Sequence, residues 1–258
     1  MRRWTKQTAF TDPGANSAWL AALSPEPEHA ARALQGLLIH GDGPERYGLA
    51  PRRFDRETLT VASRLAAILE TDNRPLDVER LPQDRAPGTC RDYAVLMCAL
   101  MRQHGRPARV RCGFASYFLA ATWQDHWICE VWSDDRWQRI DAQLDGITQE
   151  ALQISFAPWD MPPDVYLTAD EGWRRCRAGE LDAEDFGHAD ARGLWFVYVN
   201  LMRDRLALVD RITSDWDGWR AVASARTPLS EDMLAQADRS ANEDPTEPLS
   251  ITPWWRWA

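Results

Sequence analysis

Apolar residues recur at helical spacing in four stretches of the chain. Ala30, Leu34, Leu37 and Leu38 follow Ser24-Pro25-Glu26, which supplies a capping serine and a proline for the first turn. This predicts an amphipathic helix from Ser24 to near Gly41-Asp42-Gly43-Pro44. Leu59, Ala62, Leu65, Ala66 and Leu69 share one face of a second helix, from Glu57 to about Glu70, stopped by Asn73 to Pro75. Leu81 to Gly88 holds two prolines and reads as a loop. Tyr93, Ala94, Met97, Leu100 and Met101 then mark a strongly apolar helix ended by Gly105 and Pro107. The fourth stretch carries Leu194, Val197, Tyr198, Leu201 and Leu208.

Between the third and fourth helices the pattern shortens to β-prone runs, Arg109 to Ala115, His126 to Trp132 and Trp137 to Gln143. A helix followed by such a meander predicts an α+β fold. The expected organisation is a helical region over 1–80, a core over 81–150, a helical addition over 151–226 and an acidic tail over 227–258, in one compact domain. The tail, polar from about Thr227 to Pro248, is expected to be poorly ordered unless Trp254, Trp255 and Trp257 dock it. No internal repeat is present.

Charge and cysteine content narrow the function. A net charge of -9 argues against a duplex nucleic-acid binder, because phosphate contacts need a positive surface. No apolar run follows Arg2, Arg3 and Lys6, so neither a signal peptide nor a membrane-spanning helix is expected, and the cytoplasm is the default location. Cys90, Cys98, Cys112, Cys129 and Cys176 show neither a paired disulfide pattern nor zinc-ligand spacing, so free thiols and no metal or other cofactor are expected.

Cys90 stands at the junction of the proline-containing loop and the apolar helix, where unpaired backbone N–H groups and the helix dipole favour a thiolate, the nucleophilic form. Asp134-Asp135 makes a two-residue turn between the second and third β runs. Pairing Ser133 with Arg136 puts Glu130 opposite Arg139, Ile128 opposite Asp141 and His126 opposite Gln143. His126 and Asp141 then project from one face as diagonal neighbours, with Trp127, Cys129 and Val131 on the other. Cys129 is therefore expected to pack rather than react. A cysteine, a histidine and an aspartate so placed divide the work of acyl transfer into nucleophile, proton carrier and orienting carboxylate. Asp145, near Gly146, reads as a turn residue instead.

Gly88-Thr89-Cys90-Arg91-Asp92-Tyr93-Ala94 resembles the nucleophile motif of the bacterial transglutaminase-like superfamily. Gly105-Arg106-Pro107-Ala108-Arg109-Val110 with Gly113-Phe114 resembles that family's passage into its first core strand. Asp125-His126-Trp127, Glu130-Val131-Trp132 and Trp137 to Asp141 resemble its histidine and aspartate strands, in the family's order. The resemblance implies a papain-like α+β core, a cysteine-bearing helix packed on an antiparallel sheet with helical additions at both ends. It makes Cys90 the nucleophile, His126 the general base and acid, and Asp141 the orienting carboxylate. Arg91 stands where animal cross-linking enzymes carry tryptophan.

Three functions are consistent with these residues. The favoured one is an amide- or peptide-bond hydrolase acting through a Cys90 thioester. The others are a transamidase or amide synthase with an amine acceptor, and a non-catalytic scaffold that keeps the groove. Expected partners are a peptide, protein or small-molecule acyl donor and, for a transamidase, an amine. The Cys90 backbone N–H and Gln83 are candidate oxyanion donors. Trp123, Trp127 and Trp159, among fourteen tryptophans, are candidates for a substrate groove, although strand tryptophans are more often packing residues. His104 reads as a helix-end residue, Asp92 as a first-turn cap and Cys98 as core.

Overall fold

A computed structural model of the chain describes residues 1–51, 53–56, 58–188, 191–212 and 228–244. It groups into two compact units, Met1–Val110 with Trp127–Pro162, and Arg111–His126 with the described residues from Pro163 onward. The fold is α+β. Its main sheet is antiparallel where strands pair, in the order β5-β4-β3-β6, from β3 (Ala108–Leu119), β4 (Thr122–Ser133), β5 (Arg136–Ile140) and β6 (Tyr166–Thr168).

In the first unit α4 (Cys90–Gln103) is packed by α1 (Ser17–Ala21), α2 (Pro27–Leu37) and α3 (Val61–Thr71). Nine consecutive residues of α4, Tyr93 to Met101, are buried, so the helix is apolar on all sides, as a central helix must be. Against the sheet, Cys98 of α4 shares a hydrogen bond with Cys129 of β4, and Arg102 Nε donates to the Ala108 carbonyl at 2.9 Å. The β4–β5 ladder has the expected register, Ser133 with Arg136, Glu130 with Arg139 and Cys129 with Ile140. Asp134 and Asp135 both have positive φ, 51° and 58°, the backbone of a two-residue hairpin turn whose twist matches its strands.

In the second unit α7 (Leu194–Leu208) is buried along nearly its whole length and packs with α6 (Ala169–Arg177) and α8 (Glu231–Asn242). Phe114, Trp173, Phe186 and Phe196 centre its core, with Phe114 meeting Phe186 edge-on at 4.8 Å. Gly113 admits β6 closely. A Cβ there would lie 2.2 Å from the Leu167 carbonyl oxygen, so only glycine fits. Arg111 threads this core through a buried charge network, with Nε and Nη2 on Asp204 at 2.9 and 2.8 Å and Nη2 on Asp170 at 2.6 Å.

Several boundaries differ from those expected. Glu26 rather than Ser24 is the N-cap of α2, with Pro27 in its first turn. The helix stops at Leu37, because Leu38–His40 leaves as β1 to pair in parallel with β2 (Ala86–Gly88), inside the expected loop. The second helix begins at Val61, where the Thr60 side chain accepts from the Ser63 N–H; Glu57 lies outside the described residues. β5 ends at Ile140, so the ladder stops short of the expected pairs Ile128–Asp141 and His126–Gln143. The acidic segment expected to lack order contains α8, capped by Ser230. Trp254, Trp255 and Trp257 lie outside the described residues.

Candidate active site

Cys90 is the first residue of α4 and is half-buried. The turn that presents it is tightly held. Asp92 Oδ2 accepts the Thr89 backbone N–H at 2.7 Å and the Thr89 hydroxyl at 3.1 Å, the capping role expected of it. Its other oxygen takes Arg64 Nη2 at 3.0 Å, an ion pair with both side chains buried. The Cys90 backbone N–H stands at this helix start, where the dipole stabilises an oxyanion formed beside the sulfur.

The other four cysteines are poorly suited to attack. Cys98, Cys112 and Cys129 are fully buried. Burial, then the hydrogen bond with Cys98, pushes the Cys129 thiol well above its ordinary value. Cys176 is half-buried and pushed up to about 12 by burial and by Asp182. A thiol so raised is almost wholly protonated near neutral pH.

His126 lies in β4 and is buried, 2% exposed. Its carbonyl accepts the Tyr166 hydroxyl at 3.2 Å, and the rings of Phe118 and Tyr117 stand edge-on to its imidazole at 4.9 and 6.0 Å. The preceding residue, Asp125, is paired with Arg203 at 3.2 Å, and Arg203 also donates to Asn200 Oδ1 at 3.0 Å. His126 thus belongs to a stretch of strand fixed on several sides within the second unit.

Asp141 follows β5 directly and is 1% exposed. Its N–H turns away from the ladder to the Pro158 carbonyl at 2.8 Å, and its Oδ1 accepts the Gln143 N–H at 3.0 Å, which orients the carboxylate. Cys90 and Asp141 both belong to the first unit and His126 ends the first segment of the second. Asp145 is engaged elsewhere, capping α5 (Gly146–Ala151) and accepting Tyr47 Oη at 2.8 Å and Arg85 Nη1 at 3.4 Å.

The weaker candidates fare unevenly. Gln83 is exposed on a 3-10 turn, Pro82–Asp84. Trp123 is half-buried and stacked on Phe186 at 5.9 Å, and Trp159 is half-buried with the Arg32 guanidinium 5.7 Å from its ring centre. Trp127 is only 2% exposed and shares its strand face with buried Cys129 and Val131. His104 is the C-terminal cap of α4. Arg64, which holds the cysteine turn, went unnoticed in the sequence. Its signal was a charge inside the stripe Val61, Arg64, Leu65, Ile68, spaced as a buried helix face. Among the described residues no group of three or more His, Cys, Asp or Glu could hold a metal, and no helix is long and apolar enough to cross a membrane.

Residues 60–142 match the family model of the transglutaminase-like superfamily. This segment is similar to the transglutaminase-like core. The match spans Arg64, Cys90 and His126 and ends one residue after Asp141. No curated protein matches the chain. Among solved structures, a "Putative Cysteine Protease" from Cytophaga hutchinsonii is similar at 15% identity, with 55% of this chain and 41% of that chain covered and a TM-score of 0.37. The likeness therefore spans less than half of that protein.

Proposed function

We propose that this protein is a cysteine-dependent acyl-transfer enzyme in which Cys90 is the nucleophile, His126 the proton carrier and Asp141 the carboxylate that orients it. The observation that carries the reading is the contrast among the cysteines. Cys90 opens a helix inside the transglutaminase-like core, on a turn braced by Asp92 and Arg64, while Cys98, Cys112 and Cys129 are fully buried and burial raises the thiol of Cys176.

In the first half-reaction the Cys90 thiolate adds to an amide or ester carbonyl. The oxyanion is stabilised by the Cys90 backbone N–H, collapse breaks the bond to the leaving group, and His126 gives that group its proton. The product is a thioester on Cys90. In the second half-reaction His126 takes a proton from water as its oxygen attacks the thioester, releasing a carboxylic acid and the thiolate. Water as acceptor, hence an amide or peptide-bond hydrolase acting on a peptide, protein or small-molecule acyl donor, is the form favoured here; an amine at that step gives a transamidase. Arg91, the neighbour of the nucleophile, stands where cross-linking relatives have tryptophan, which supports hydrolysis over protein cross-linking.

The test is to supply acyl donors with and without a primary amine and to quantify free acid and new amide by mass spectrometry. Free acid in excess, lost in Cys90→Ala, supports the hydrolase. New amide in excess selects the transamidase. Turnover unchanged in Cys90→Ala contradicts both.

A further inference from the structure

Arg64 grips the chain on both sides of Cys90. Its Nη1 donates to the Pro87 carbonyl at 2.9 Å, three residues before the cysteine, and its Nη2 donates to Asp92 Oδ1 at 3.0 Å, two residues after it. The guanidinium and the carboxylate are almost fully buried, with side chains 6% and 4% exposed. Asp92 needs no such partner to cap the helix, since its Oδ2 already holds the Thr89 N–H and hydroxyl and the dipole favours an anion there. A second anion created on Cys90 changes the balance. An uncompensated, buried carboxylate two residues away would oppose it through a medium that screens poorly.

We infer that Arg64 is a positioning residue for the nucleophile, cancelling the Asp92 charge so that Cys90 ionises while tying the strand before it to the helix after it. This rests on the reading of Cys90 as the nucleophile. Other charged or titratable groups near this turn include Arg91, whose guanidinium donates to the Arg56 carbonyl, the Arg56–Asp42 ion pair, Tyr93, which burial keeps neutral, Asp141, Asp145, Arg85 and Tyr47, which act on Tyr93, and His126 in the proposed triad. None of them is altered in the variants below.

The experiment follows alkylation of Cys90 by iodoacetamide, read by peptide mass mapping from about pH 5 to about pH 10, in wild type, Arg64→Met, Asp92→Asn, the double variant and Arg64→Lys. Arg64→Met leaves Asp92 uncompensated, and the pH of half-maximal rate should rise by about one unit. Asp92→Asn leaves Arg64 uncompensated, and that pH should fall. The double variant and Arg64→Lys should return it close to wild type. Opposite shifts with mutual rescue are the signature of charge balance, because a bracing role alone would move both single variants the same way. Should Arg64→Met fail to fold, Asp92→Asn and the double variant still decide, since the asparagine amide can cap Thr89 and the double variant buries no lone charge from this pair.

Shifts in the same direction, or none, overturn the inference. Opposite shifts in a protein whose Cys90 never forms a thioester uphold the charge pair and overturn the nucleophile reading. An acylated Cys90 with an unmoved profile does the reverse.

Discussion

Glu130 faces Arg139 across the β4–β5 hairpin and divides its carboxylate between two arginines, with Oε1 3.6 Å from Arg139 Nε and Oε2 2.7 Å from Arg109 Nε. The Arg109 guanidinium sits over Trp137, 3.9 Å from the ring centre, so this pairing locks the hairpin whose last residue, Ile140, precedes Asp141. Glu130→Gln leaves two guanidinium groups with their shared counter-charge removed. It should destabilise the protein by about 3 kcal/mol in urea denaturation, and Arg109→Met in the same chain should recover part of the loss. Wild-type stability in Glu130→Gln would show that the pair contributes nothing.

Thiol accessibility gives a second prediction. Brief iodoacetamide treatment near neutral pH should label native protein at Cys90 alone, because Cys98, Cys112 and Cys129 are fully buried and burial raises the thiol of Cys176 to about 12. All five should label after denaturation. Peptide mapping distinguishes these, and early labelling of Cys129 would contradict its place in the interior.

Asp170 makes stability depend on acid. Burial pushes its carboxyl up, but Arg111, Arg205 and Arg174 together outweigh this and hold it below the ordinary carboxylate range. A carboxyl held low in the native state contributes stability that is complete above its unfolded value, about 3.9, and lost as pH falls from there toward the lower native value. Asp170→Asn should therefore be destabilising by about 3 kcal/mol at neutral pH and progressively less below about pH 4, in urea titrations at both ends. An equal effect at both ends would contradict the assignment.

Asp141 should matter to rate more than to folding. Asparagine can still accept the Gln143 N–H, yet it cannot carry the charge that stabilises an imidazolium. Asp141→Asn should keep the circular-dichroism spectrum and lower the acylation rate by roughly 10²- to 10⁴-fold. Acylation at the wild-type rate would remove Asp141 from the proposed triad.

What the sequence disclosed depended on how local each signal was. The hairpin register was legible because two aspartates dictate a tight turn and every later pair follows from it. Cys90 was legible as a helix start because a proline-containing loop gives way to an apolar stripe. The strand pair β1–β2 was not, since its parallel partners, Leu38 with Ala86, lie far apart in sequence and Leu38 also fits the preceding helix pattern. Helix α8 was missed because Ala237 and Ala241, small residues one turn apart, make most of its buried face, while much of its anchorage is polar, Asp238 accepting Trp173 Nε1 at 2.9 Å and pairing with Arg177. The same kind of long-range polar contact hid Arg64 and Arg203, whose partners no local pattern reveals.

A thioester on Cys90 is the intermediate on which the proposed chemistry turns. The most direct measurement is acid-quenched intact-mass spectrometry of wild type and Cys90→Ala after brief exposure to 4-nitrophenyl acetate, with peptide mapping of any adduct. One added acetyl group is expected on the Cys90 peptide of wild type, absent from Cys90→Ala and much slower to form in His126→Ala. No adduct, or an adduct that persists in Cys90→Ala, would contradict it.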